Sequence, residues 1–223
     1  MQGSVRPFQL TQEIFLGALN EWAEELTNGV GVRVVSRENE NFFQVEKLNR
    51  EIYPRITAGT AVVVQKHLLE SGILDSINKV CSTETSGPKY SVPLSIALDL
   101  RHFSIHQYWR GNLVDPVYVE SRSPSRNEPT RLWLDRDISR GSRVVYLDDI
   151  TRSYRTISDS IDLLRKGEAE IRAIYSIFLW DFVPHPYVGK VPKEIYHPLF
   201  VVRNISPEGK FDFDPNSLAF KYI

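Results

Sequence analysis

The chain has 223 residues, 42% of them hydrophobic, with 27 basic and 28 acidic side chains and a formal net charge of −1. That is enough apolar material for one large domain, or a core with a small accessory part, and so balanced a charge lacks the electrostatic footprint of a nucleic-acid or membrane-surface binder. A single cysteine, Cys81, excludes an intrachain disulfide and a cysteine-built metal centre. No apolar run approaches the roughly 18 residues needed to cross a bilayer. The opening MQGSVRPFQL has no apolar signal-peptide core, so a cytoplasmic protein is the expectation.

Residues 9–28 place Ile14, Phe15, Leu19, Trp22 and Leu26 on one helical face behind Thr11 as N-cap. Residues 32–36 and 42–45 read as short strands around a polar turn. Pro54 opens a long helix through Ile56, Ala61, Val62, Val63, Leu68 and Leu69 to Gly72. From there strands and helices alternate. A strand over 77–81 leads into a polar loop, 82–87, and a helix over 92–100. A strand over 103–108 is followed by a hairpin with arms 117–121 and 130–135. A strand over 144–147 then precedes a helix over 156–166, stopped by Gly167, and a strand over 171–179. This rhythm predicts an α/β fold: an open, mostly parallel twisted sheet with helices on both faces. The core spans about residues 50–180 of a single domain, 1–223. Residues 180–223, rich in proline and aromatics, carry strands in PLFVVRNI and KFDFD. Together with residues 1–49 they are expected to form a small cap, or hood, over the sheet's C-terminal edge.

Asp148 and Asp149 follow the apolar run Val144-Val145-Tyr146-Leu147. Adjacent carboxylates at the end of a buried strand are costly unless they meet a cation, a hydroxylated ligand or a metal. The crevice outside the carboxyl ends of strands is where open α/β sheets bind ligands. Residues 143–157 therefore predict a ribose- or phosphate-binding strand–loop–helix. His102 and His106 flank a strand-like Phe103-Ser104-Ile105 and read as core or surface histidines rather than metal ligands. Cys81 reads as inert packing.

The order of these stretches resembles the type I phosphoribosyltransferases, most nearly the xanthine- and adenine-specific enzymes of purine salvage, from about residue 45 to 214. Leu48-Asn49 resembles a base-contacting pair. Thr83-Glu84-Thr85-Ser86-Gly87 resembles the pyrophosphate loop, the Ser/Arg-rich segment 121–131 the mobile catalytic loop, and Tyr146-Leu147-Asp148-Asp149-Ile150 the acidic pair that binds phosphoribosyl diphosphate (PRPP). Residues 179–184, LWDFVP, resemble the segment with the base-stacking aromatic. The resemblance implies transfer of the 5-phosphoribosyl group from PRPP to a purine-like or other flat nitrogenous acceptor, with release of pyrophosphate, in nucleotide salvage or specialised metabolism.

Residue by residue, the resemblance gives Asp148 and Asp149 the catalytic role of holding the ribose hydroxyls and supporting positive charge on the sugar. It gives Thr151, Arg152, Ser153, Tyr154, Arg155 and Thr156 the 5′-phosphate, and Glu84, Thr85, Ser86, Gly87, Lys89 and Arg110 the pyrophosphate. Asn49, Trp180 and Phe182 would meet the base, with Arg122 and Arg126 on the mobile loop. Mg²⁺ is implied, held mainly through the substrate's phosphates, and so is a homodimer. PRPP and a base are the expected partners, with no nucleic acid and no membrane.

The pattern departs at the 5′-phosphate cradle. Where the family reads roughly Thr-Thr-Gly-Gly-Thr, this chain reads Arg152-Ser153-Tyr154-Arg155-Thr156. Glycine permits close backbone approach and unusual φ, so Tyr154 is expected either to reshape the loop or to block it. The two arginines would then bind phosphate through their side chains. The family's Arg-Lys pair is also replaced, by Tyr108-Trp109, with Arg110 one step late. Two other readings follow: an enzyme whose altered loop takes a different phosphorylated sugar or acceptor, or a non-catalytic nucleotide- or PRPP-binding regulator on the same fold.

Overall fold

The computed structural model describes Val32–Arg37, Glu40–Val45 and residues 54–84, 86–122, 129–206 and 211–222, with side chains from Ile56 onward. The helix expected over 9–28 lies outside the described residues. β1 (Val32–Arg37) and β2 (Glu40–Val45) pair antiparallel, as their pattern predicts.

The main sheet has six strands. They are β3 (Lys79–Thr83), β4 (Arg101–Ile105), β7 (Arg143–Thr151), β8 (Glu170–Trp180), β9 (Tyr196–Ile205) and β10 (Phe211–Phe213), in the spatial order β10-β9-β8-β7-β3-β4. β4, β3, β7, β8 and β9 are parallel neighbours, and β10 is antiparallel to β9. The chain passes from β3 outward to β4, then returns to place β7 on the other side of β3. Chain order therefore reverses between β3 and β7, the position at which such sheets open a ligand crevice.

Sequence explains why β7 and β8 are central. Val144 to Leu147, and Ala173 to Trp180, are buried without interruption, the signature of strands covered on both faces. Along β7, Val145 and Leu147 pack with α1 (Pro54–Glu70) and α2 (Pro88–Leu98). Val144 and Tyr146 point the other way, towards Ile157, Ile161 and Leu164 of α4 (Arg155–Lys166). The same face holds Val119, Leu132 and Leu134 from the hairpin β5 (Pro116–Arg122) and β6 (Pro129–Asp135). A four-residue helix, α3 (Arg136–Ser139), leads from the hairpin into β7. No helix among the described residues is long and apolar enough to cross a membrane.

Several boundaries differ from expectation. α2 starts at Pro88, not Val92: proline fits a first turn because its missing N–H needs no partner there. β4 ends at Ile105, leaving Tyr108 and Trp109 exposed. Asp148 and Asp149 lie inside β7, which runs on to Thr151 because β8 continues to pair with it. The C-terminal part of the expected cap is corrected too. Tyr196–Ile205 is the fifth parallel strand of the main sheet and Phe211–Phe213 is its edge. Leu199, Phe200 and Val202 join the core on the α1 side, burial that a segment lying over the sheet's rim would forgo.

Candidate active site

β3 and β7 stay paired only as far as Cys81 and Tyr146. Beyond that register β7 continues beside β8 alone, and the opened side of β7 carries the acid pair. Asp148 is 5% exposed, and strand alternation sends its side chain to the α4 face, beside Tyr146. The Tyr146 hydroxyl donates to Asp148 Oδ2 at 3.4 Å. It also meets the hydroxyls of Thr83 at 2.9 Å and Ser160 at 3.3 Å. The Asp149 carboxyl lies in hydrogen-bonding contact with that of Asp148, and Ser86 hydrogen-bonds the Asp149 carboxylate. The loop after β3 and the acids of β7 are thereby in direct contact. Burial first, then the charge of Asp149, pushes the Asp148 carboxyl well above the usual carboxylate range, and burial raises Asp149 as well. No cation among the described residues offsets either shift. The pair is arranged to receive hydroxyl groups or positive charge.

On the pyrophosphate side, Gly87 is dictated by close approach. A Cβ there would lie 2.6 Å from the Thr83 carbonyl oxygen and 2.8 Å from Ser82 Cβ. The loop then enters α2, with Lys89 in its first turn, where the N–H groups of Lys89, Tyr90 and Ser91 bond back to the Ser86 and Gly87 carbonyls. Glu84 is held between His106 Nδ1, at 3.1 Å, and the Arg110 guanidinium, at 3.3 Å. Glu84 and Arg110 are brought together as an ion pair. His106 is a residue that sequence reasoning set aside; its only signal is that Thr83 and Ile105 are register partners, so the loops leaving β3 and β4 adjoin. Thr85 lies outside the described residues.

In the loop 151–156 the tyrosine takes an unusual backbone conformation. Tyr154 adopts φ 64° and ψ 5°, the left-handed conformation a glycine would supply, immediately before α4. Its side chain is turned inward, 7% exposed, against His185 and Tyr196. The outer side of the loop is left open as a pocket of about 50 Å³, lined by Asp148 and residues 150–157. The first turn of α4 borders it, adding N–H groups and the positive end of a helix dipole. The Arg152 guanidinium lies over Trp180 at 5.2 Å and that of Arg155 over Tyr187 at 4.9 Å.

The base side is less assembled. Trp180 is 1% exposed and stacked with Phe182 at 5.7 Å. Its ring is core, against the expectation that it offers an open face, and Phe182 is the more accessible of the two. Asn49 and Arg126 lie outside the described residues. Arg122 is exposed at the end of β5. Next to it, Ser121 donates to Asp159 Oδ2 at 2.5 Å, fastening the stem of the expected mobile loop to α4.

No protein-family model matches the chain, and no curated protein matches it in sequence. Solved structures do match. The adenine phosphoribosyltransferase of Thermoanaerobacter pseudethanolicus superposes with a TM-score of 0.60 at 16% identity, over 80% of this chain and 98% of that one. The Giardia lamblia enzyme complexed with 9-deazaadenine gives 0.63 at 12%, over 82% and 97%. The Leishmania donovani enzyme gives 0.62 at 17%, over 84% and 82%. With its chain-order reversal between β3 and β7, the protein has the type I phosphoribosyltransferase fold.

Proposed function

We propose that the protein is a phosphoribosyltransferase that moves the 5-phosphoribosyl group of PRPP to a flat, purine-like nitrogenous acceptor and releases pyrophosphate. The observation that carries this reading is the meeting of three parts at one crevice: the acid pair Asp148 and Asp149, the Ser86-Gly87 turn touching it, and the pocket of residues 150–157. A sugar bearing a 5′-phosphate and a C1′ diphosphate needs those three contacts, with the hydroxyl-binding acids between the two phosphate-binding parts.

In this reading Asp148 and Asp149 accept hydrogen bonds from the ribose hydroxyls. As the C1′–oxygen bond to pyrophosphate breaks and the bond to the acceptor nitrogen forms, their negative charge stabilises the cationic sugar. The Ser86-Gly87 turn, with the Lys89 ammonium, receives the leaving diphosphate. Phe182 supplies the aromatic face for the acceptor. The donor set fits magnesium, which prefers oxygen ligands and binds largely through a substrate's phosphates: two adjacent carboxylates stand at one crevice. Asp148 and Asp149 would hold the ion, and it would supply charge neutralisation on the diphosphate. Incubation with Mg²⁺, PRPP and a panel of purine and pyrimidine bases tests the proposal. Pyrophosphate should appear with one acceptor class and disappear in Asp149→Asn; no release with any base and no PRPP binding would refute it.

A further inference from the structure

Tyr154 stands where a phosphate loop needs a residue with positive φ, and an aromatic L-residue resists that conformation. Backbone strain of this kind persists only where the surroundings over-determine it, and here they are specific. His185 meets the Tyr154 ring edge-on, centroids 5.1 Å apart, and Tyr196 meets it at 5.2 Å. The Tyr154 and Tyr196 hydroxyls are in hydrogen-bonding contact, and Tyr196 is itself tied to Ser176 Oγ of β8 at 2.7 Å. The segment after β8 also grips the loop backbone. His185 Nδ1 bonds the Arg152 carbonyl oxygen at 2.6 Å, and the Tyr187 N–H donates to the Ser153 carbonyl at 3.3 Å.

We propose that Tyr196 and His185 are positioning residues that lock Tyr154 in the left-handed conformation, giving a glycine-free phosphate loop the shape a glycine would otherwise provide. The proposal rests on the reading of residues 150–157 as the phosphate pocket. Its consequence is that at position 154 glycine can hold the loop's left-handed turn unaided while alanine cannot. Glycine reaches positive φ unaided, whereas alanine has the same steric penalty as tyrosine and nothing for Tyr196 and His185 to hold. By the same logic the need for Tyr196 vanishes once residue 154 is glycine.

The test is calorimetric binding of ribose 5-phosphate to the full chain, with ribose as the phosphate-free control, and NMR determination of φ at residue 154. Tyr154→Ala should bind ribose 5-phosphate about tenfold more weakly than Tyr154→Gly, because the competent loop becomes a minor population. Tyr196→Phe and His185→Ala should weaken binding in the same direction. Adding Tyr154→Gly to Tyr196→Phe should restore affinity, a rescue that a merely structural loss would not show. Equal affinities for Tyr154→Ala and Tyr154→Gly, or an unchanged left-handed φ in both Tyr154→Ala and Tyr196→Phe, would overturn the proposal. Failure of the wild type to prefer ribose 5-phosphate over ribose would overturn the phosphate reading of the pocket itself. The pyrophosphate-release assay reports separately on the transferase reaction.

Discussion

A carboxyl group whose folded pKa is raised binds its proton more tightly in the folded than in the unfolded chain. The stabilisation this brings is complete below the ordinary carboxylate range and is lost as pH rises through the folded value. Asp148, raised by burial and by Asp149, therefore weakens the ligand-free protein at neutral pH. Asp148→Asn should raise the melting temperature at about pH 7.5, with the gain shrinking towards about pH 4, in thermal unfolding without ligand. A gain that does not vary with pH would mean the carboxylate is already compensated. His197 works in the opposite sense. Burial, and then His67 with its ring 4.5 Å away, lower its pKa to about 4. Its contribution is full above the ordinary histidine value and is lost as pH falls towards 4. His197→Gln should flatten the acid side of the stability profile, read from urea midpoints across that range.

At the scale of elements, the crevice depends on two tight fits. Gly87→Ala would press a methyl group on the Thr83 carbonyl and on Ser82, neither able to yield without moving β3 or α2. Urea unfolding should show a loss of about 1–3 kcal/mol, as for other overpacked sites. Beneath the acid pair, Tyr146, Thr83 and Ser160 join β7, β3 and α4 through their hydroxyls. Tyr146→Phe keeps the ring and leaves Thr83 and Ser160 bonded to each other at 3.0 Å. The expected cost is about 1 kcal/mol, that of one net hydrogen bond. Pyrophosphate release should then show an altered pH profile, because Asp148 loses a donor.

For the whole molecule, ligand binding through the acid pair should stabilise the protein most where the acids are ionised. PRPP with magnesium at about a hundredfold over its dissociation constant should add about 2.7 kcal/mol, seen as a higher melting temperature. PRPP with magnesium removed should add less. The features legible in the sequence were those written locally. The apolar run 144–147 marked a central strand, the hairpin arms alternated, and Gly72 and Gly167 ended helices, so the alternation of strands and helices, and the acid pair within it, could be read before any coordinates. Side-chain environments and sheet membership depended on distant segments. PLFVVRNI is as apolar as any buried strand, but only the pairing of β9 with β8 puts it in the main sheet rather than in a cap. Trp180 reads as an aromatic platform until the packing of Phe182 and Arg152 closes its face. Tyr154 reads as an obstruction because φ at one residue is set by what its side chain meets. Here those partners, His185 and Tyr196, lie 31 and 42 residues further along the chain, a separation that local patterns do not bridge and that tertiary packing does.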